Sequence, residues 1–187
     1  MCDQEHEPHN SLFGQRFDIS GEEYPKIVFI SRVSAKTMIL IAHNIRSLHN
    51  VGAFFRTADA FGVEKIYLTG YTGCPPRKEI AKTALGSEHR IPWEYREELD
   101  ALLIELRSEG KKLVALEISD RAIPVNALEI PVENIALMVG SEVEGILPHL
   151  LEQCDEIIEI PMIGIKKSLN VSVATGIALF AIMAKIR

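Results

Sequence analysis

The chain has 187 residues, the size of one compact domain, and its 47% hydrophobic and 25% charged residues provide an ordinary globular core. A formal net charge of −6, from 26 acids and 20 bases, excludes a general, strongly basic binder of nucleic acid, because phosphate affinity rests on Lys and Arg displacing counterions. The excess sits at the front: residues 1–26 carry Asp3, Glu5, Glu7, Asp18, Glu22 and Glu23 against Arg16 and Lys26, and setting these aside leaves 20 acids against 18 bases.

Residues 1–26 read as an acidic, Gly- and Pro-containing arm, and 27–187 as one domain. Thr37–Ala42 is a continuous apolar run of buried-strand type. Asn50 can cap a helix that runs to about Phe61 and stops at Gly62. Lys65–Thr69 is a strand and Arg77–Leu85 a short helix. Glu97–Glu109 places Leu99, Leu102, Leu103 and Leu106 on one helical face and ends at Gly110. Lys112–Glu117, Ile135–Val139 and Glu156–Ile160 are further strands, with a short helix at Pro148–Cys154 and a closing helix at Asn170–Ile186. That closing helix is apolar around most of its circumference, so it is expected to be buried. Alternating strands and helices predict an α/β domain, a mainly parallel sheet with helices on both faces.

Cys2, Cys74 and Cys154 show no CxxC spacing, which suits a reducing cytosol and offers neither a disulfide framework nor a zinc site. The N-terminus lacks the basic and apolar regions of a signal peptide. The longest apolar run, Val171–Ala184, is broken by Ser172, Thr175 and Gly176 and is shorter than the ~20 residues of a membrane span. A cytoplasmic location without membrane contact is expected.

Three segments exceed what a core requires. Asn44–Gly62 sets Asn44, Arg46, Asn50 and Arg56 around a strand-to-helix junction, where open parallel sheets bind ligands. Met138–Ile146 follows a buried strand; Gly140 allows close approach of a ligand to the backbone and Gly145 a positive φ. Its glycine spacing is not a phosphate loop, since Ile146 and Leu147 stand where Lys and Ser/Thr are required. Ile160–Ala181 leaves a strand at Pro161, turns through Gly164 and enters a helix at Ser168, Leu169 and Asn170. Taken singly, Ser168 and Asn170 read as helix caps, Lys166 and Lys167 as an exposed pair, and Glu142 and Glu144 as solvated loop acids. His43, His49 and His89 read as ordinary solvent or core histidines.

Together, in this order, the three segments resemble the signature motifs of the SpoU (TrmH) class of RNA ribose methyltransferases, of the SPOUT superfamily, over the stretch from about Thr37 to the C-terminus. The resemblance implies a fold closed by a C-terminal deep trefoil knot, a feature no periodicity could suggest. It implies that S-adenosylmethionine is the methyl donor and a ribose 2′-hydroxyl of a structured RNA the acceptor, with transfer RNA ahead of ribosomal RNA. It implies catalytic roles for Asn50, Arg56, Glu142, Ser168 and Asn170. Cofactor contacts fall on Gly140, Ile160, Leu169 and Ser168, largely through backbone groups, and no metal is implied. It also implies a homodimer paired through the knotted region.

Arg56 would stabilise charge on the 2′-oxygen, with Asn50 and Glu142 orienting it. The acidic arm and the lack of an appended RNA-binding domain leave RNA contact to Arg46, Arg77, Lys78, Lys82, Lys166 and Lys167. The alternatives are a non-catalytic RNA-binding or assembly factor of the same fold, and a base-directed RNA methyltransferase.

Overall fold

The computed structural model describes residues 38–165 and 168–185. The acidic arm, Thr37, Lys166, Lys167 and Ile186 lie outside the described residues. The strands are β1 (Ile39–His43), β2 (Lys65–Thr69), β3 (Trp93–Arg96), β4 (Lys112–Leu116), β5 (Ile123–Pro124), β6 (Ile135–Val139) and β7 (Glu156–Glu159). Between and after them lie helices α1 (Leu48–Phe61), α2 (Lys78–Ala84), α3 (Leu99–Ser108), α4 (Pro148–Leu151) and α5 (Val171–Met183). All strand pairs are parallel, in the order β3-β2-β1-β6-β4-β7-β5. The expected α/β architecture is present.

A parallel sheet covered on both faces needs strands apolar on both sides. In β6, Ile135, Leu137 and Val139 enter one core with α1, α2 and α5, while Ala136 and Met138 enter the other with α3 and α4. Phe54 and Phe55 of α1 are wholly buried in the first core, each worth about 1.5–3 kcal/mol of burial. In the second, α3 inserts Leu99, Leu102, Leu103 and Leu106, the four positions its spacing singles out.

Strands β3 and β5 have no counterpart in the sequence reading. Both lie at sheet edges: β3 is Trp-Glu-Tyr-Arg with no residue fully buried, and β5 is two residues long, so neither carries an apolar run. The closing helix also departs from expectation. Thr175, Ala178, Leu179 and Ile182 are buried, but Val173, Ile177 and Phe180 remain 51%, 39% and 63% exposed. One sheet and one helix can cover a single side of α5; Gly176 faces Thr57 of α1, and the rings of Phe61 and Phe180 meet edge-on at 6.3 Å. Among the described residues the opposite apolar side stays largely exposed.

Candidate functional site

The carboxyl ends of β1, β6, β4 and β7 open onto one end of the sheet. At β1, Asn44 turns the chain with φ +56°, and its Oδ1 accepts from Tyr71 N at 3.1 Å. The His43 ring lies between the Thr69 hydroxyl and the Asn44 amide, both at 2.9 Å. Burial, together with His149, pushes the His43 pKa below its usual value.

Ser47, not Asn50, caps α1, its hydroxyl accepting from Asn50 N at 3.4 Å. A cap side chain sits before the first turn and bonds back to it; Asn50 lies inside that turn, so its amide is free to reach outward. Asn50 Nδ2 donates to Glu142 Oε1 at 2.9 Å, and Asn170 Nδ2 donates to Asn50 Oδ1 at 3.2 Å. Glu142 also accepts from the backbone of Arg46 at 2.9 Å and Ser47 at 3.0 Å. Burial alone would raise the pKa of this carboxyl, but the hydrogen bonds it accepts, led by the Arg46 amide and Asn50, hold it below the usual carboxylate range. Asn170 is the N-cap of α5, its Oδ1 accepting from Ser172 N and Val173 N. One residue from each of the three segments thus meets in a continuous hydrogen-bonded chain.

The loop after β6 is a tight turn. Gly145 N donates to Ser141 O at 3.0 Å, with Gly145 at φ +67°, the left-handed region that glycine adopts without cost. Ser141 Oγ accepts from Val143 N, Glu144 N and the Tyr71 hydroxyl. A Cβ on Gly140 would stand 2.5 Å from Gly145 O, so this strand end admits glycine alone. Glu117, at the end of β4, ties the neighbouring loop to this turn by accepting from Ile118 N at 2.9 Å and Ile146 N at 2.8 Å.

These loops enclose a cavity of about 420 Å³, within the ~300–1,000 Å³ of small-molecule sites. Gly140, Ile160, Ser168 and Leu169 line it, as do Glu142 and Asn170, so all four expected cofactor residues share one space. Arg56 does not line it: it is exposed on α1, beside Thr57, and no hydrogen bond or ion pair joins it to a described residue. The expected Glu142–Arg56 contact is replaced by the bonds to Arg46, Ser47 and Asn50. Arg46 is exposed next to the site, while Arg77, Lys78 and Lys82 lie exposed on and before α2. Ser47, Glu117, Ser141 and Tyr71 escaped the sequence reading; Ser47, Ser141 and Tyr71 act through hydroxyls and Glu117 through a carboxylate that ties backbone amides, none of which pattern exposes. Among the described residues no group of acids, His and Cys could hold a metal ion, and no helix is long and apolar enough to cross a membrane.

Residues 37–180 match the family model described as the SpoU rRNA Methylase family. The chain is 34% identical over 148 residues to the tRNA (guanosine(18)-2′-O)-methyltransferase of Aquifex aeolicus, covering 78% of this chain and 68% of that one. It is 31% identical over 151 residues to the 23S rRNA (guanosine-2′-O-)-methyltransferase RlmB of Xanthomonas axonopodis pv. citri, covering 81% of this chain and 60% of that one. Among solved structures, the AdoMet-bound rRNA methyltransferase from Sinorhizobium meliloti superimposes with a TM-score of 0.76 at 26% identity, over 81% of this chain and 57% of that chain. The chain thus spans little more than half to two thirds of the length of these proteins. A family model matched over more than three quarters of the chain decides the assignment: the chain belongs to the SpoU rRNA methylase family.

Proposed function

We propose that this chain transfers the methyl group of S-adenosylmethionine to a ribose 2′-hydroxyl of a structured RNA, transfer RNA ahead of ribosomal RNA, in the cytoplasm and as a homodimer. The observation that carries the reading is the Asn170–Asn50–Glu142 chain at the wall of the glycine-backed cavity. The residues fit the cofactor. Gly140 lines the cavity and has no room for a Cβ, which would strike Gly145 O, so the turn keeps its close form there, and Ile160 and Leu169 offer apolar faces for a planar ring. Bound there, S-adenosylmethionine supplies an electrophilic methyl group on a sulfonium.

The chain's own contribution is placement and charge. Alignment of two reactants can supply about 7–11 kcal/mol when the geometry is ideal. Glu142 and Asn50 fix the turn at Arg46–Ser47 and hence the mouth of the site. Arg56, uncommitted to any described partner, reaches the RNA side and stabilises the developing 2′-oxyanion. A guanidinium has no lone pair to take a proton, so its role is electrostatic. Ser168 and Asn170 order the loop into α5.

The homodimer rests on the bare stripe of Val173, Ile177 and Phe180 along α5, an apolar surface that a second copy of the helix would cover. The knot rests on the resemblance; beside it, Val125 and Leu128 share the core with α5, and the Leu128 carbonyl accepts from Lys185 Nζ.

The deciding experiment uses the hydroxyl itself. Alkali cleaves RNA through attack of the 2′-oxygen on the adjacent phosphate, so a 2′-O-methylated position leaves a gap in an alkaline ladder. RNA treated with the protein and S-adenosylmethionine is expected to lose one band. Incorporated label that travels with the free base, on a complete ladder, would make the enzyme base-directed.

A further inference from the structure

His43 is the last residue of β1, and its neighbours leave its ring a single protonation state. The Tyr71 backbone amide can only donate, so the Asn44 atom that meets it at 3.1 Å is the acceptor Oδ1. That turns the Asn44 nitrogen, Nδ2, towards His43 Nε2 at 2.9 Å. Nδ2 has hydrogens to give and nothing to accept with, so Nε2 is bare and accepts. The ring's proton then sits on Nδ1, which donates to the buried Thr69 hydroxyl at 2.9 Å. A second proton, on Nε2, would set two donors face to face. Turning the Asn44 amide over gives no relief, because Nδ2 would then oppose the Tyr71 amide.

The same bonds lead to the cofactor cavity. Asn44 stands at φ +56°, a left-handed conformation that side chains rarely adopt, and holds the Tyr71 backbone in place. The Tyr71 hydroxyl donates to Ser141 Oγ at 3.3 Å, and Ser141 Oγ also accepts from Val143 N and Glu144 N. Ser141, Val143 and Glu144 all line the cavity.

From this geometry we infer that His43 is a positioning residue for the cofactor-binding turn and makes it sensitive to pH: the neutral ring holds the Asn44–Tyr71–Ser141 chain, and a proton on Nε2 breaks it. The inference rests on the methyltransferase reading above. Among the described residues, the charged groups acting on the ring are His149 of α4 and Asp100 of α3, and β2 faces it with the uncharged Thr69. Burial leads in holding the His43 pKa below its ordinary 6.5; His149 adds to this and Asp100 opposes it. The ring is therefore neutral and the chain intact at pH 7 and above, and the chain opens as pH falls below 6.5. Glu142 lies outside this range, since its carboxyl is held below 4.5. Binding that needs the intact turn favours the neutral ring, and by reciprocity lowers the His43 pKa further.

The test follows the histidine ring nitrogens of the full chain by NMR from pH 8 to pH 5, with and without saturating S-adenosylmethionine. The His43 signals are those missing from His43→Gln. At pH 7.5 the free protein is expected to show His43 protonated at Nδ1 and bare at Nε2. Its titration midpoint is expected below 6.5, and lower again by about half a pH unit or more with the cofactor bound, which corresponds to about a threefold loss of affinity on protonation. Tyr71→Phe keeps the ring and the Asn44 bond but cuts the link to Ser141, so there the cofactor is expected to leave the midpoint where it was. A proton on Nε2 at pH 7.5, a midpoint that the cofactor does not move, or one that it still moves in Tyr71→Phe would each overturn the inference. Where His43→Gln does not fold, assignment through the His43 backbone amide serves the same reading. Calorimetry at pH 7.5 separates the two readings. Heat with S-adenosylmethionine and an unmoved midpoint removes only the role of His43, whereas no heat removes the methyltransferase reading and this inference together.

Discussion

Asn50 and Glu142, 92 positions apart in sequence, are joined by a 2.9 Å hydrogen bond from the Asn50 amide to a Glu142 oxygen that also serves the Ser47 backbone amide. The bond fastens the first turn of α1 to the loop after β6, and through Asn170 to the start of α5. Glu142 is exposed, so its bonds from Arg46, Ser47 and Asn50 are partly shared with water and their loss is modest. Glu142→Ala is expected to cost about 1 kcal/mol, a fall in Tm of roughly 2–4 °C, yet to abolish most methyl transfer. A variant with full turnover would separate this contact from the site.

The same carboxyl predicts a pH effect with a defined sign. Its native pKa is held below the ordinary value of 4.5, led against the burial cost by the Arg46 amide and Asn50. A lowered carboxyl pKa contributes stability that is present in full above the unfolded value and fades as pH falls through the native one. Thermal melts between pH 7 and pH 3 should therefore show the native protein losing more stability on acidification than Glu142→Gln, whose side chain does not titrate. Parallel curves would mean that Glu142 carries no such linkage.

Gly140 is predicted to be irreplaceable. Even alanine would bring a Cβ to 2.5 Å from Gly145 O and 2.6 Å from Gly145 C, both backbone atoms of a turn that cannot give way without moving Ser141–Gly145. Gly140→Ala is expected to remove the heat of S-adenosylmethionine and S-adenosylhomocysteine binding in calorimetry. Retained binding within about threefold of the unmodified protein would show that the cofactor lies elsewhere.

The positions of these residues in the fold were legible to different depths. Core strands β2 and β6 and the face of α3 follow from apolar spacing alone, because burial there is dictated by side chains. The edge strands β3 and β5 are held by backbone pairing to one neighbour, which leaves no apolar signature. In the site, Asn50, Glu142 and Asn170 are identifiable as types at motif positions, but their mutual bonding is not: it depends on β1 and β6 being neighbours although Asn50 and Glu142 are 92 positions apart. Ser47 and Asn50 are both good capping types, and only the helix start at Leu48 separates them.

Arg56 offers a clean separation of chemistry from folding. It is exposed and bonded to no described residue, and surface substitutions of that kind change stability by less than about 0.5 kcal/mol. Arg56→Ala is expected to keep its melting temperature and its affinity for S-adenosylmethionine while losing at least about 99% of methyl transfer, in line with removal of one charge stabiliser worth roughly 10²–10³ in rate. Turnover at a third or more of the native level would remove Arg56 from the mechanism.

Cys154 is predicted to be chemically silent. Burial, as the leading cause, pushes its thiol up to about 11, and its sulfur donates to Leu150 O at 3.3 Å. At pH 8 the thiolate that reacts with alkylating agents is then a minute fraction. Intact-mass measurement after iodoacetamide treatment should leave Cys154 unmodified until denaturant opens the core between α4 and β7; rapid native labelling would contradict this packing.

The bare face of α5 sets the last prediction. Val173, Ile177 and Phe180 recur at positions i, i+4 and i+7, so they form one stripe, opposite the buried Thr175, Ala178, Leu179 and Ile182. Phe180 already touches the Phe61 ring on one edge, leaving its outer surface for a partner. If two copies meet there, light scattering gives twice the monomer mass of 20.9 kDa at micromolar concentration. Phe180→Asp would place a charge in the centre of that contact, and an unpaired buried charge costs several kcal/mol, enough to shift dissociation by about two orders of magnitude or more. The substitution should yield the monomer mass with an unchanged circular dichroism spectrum, because Phe180 is 63% exposed within one chain and little of the fold depends on it. A native protein that scatters as a monomer would remove the dimer. A dimer that survives Phe180→Asp would move the interface off α5.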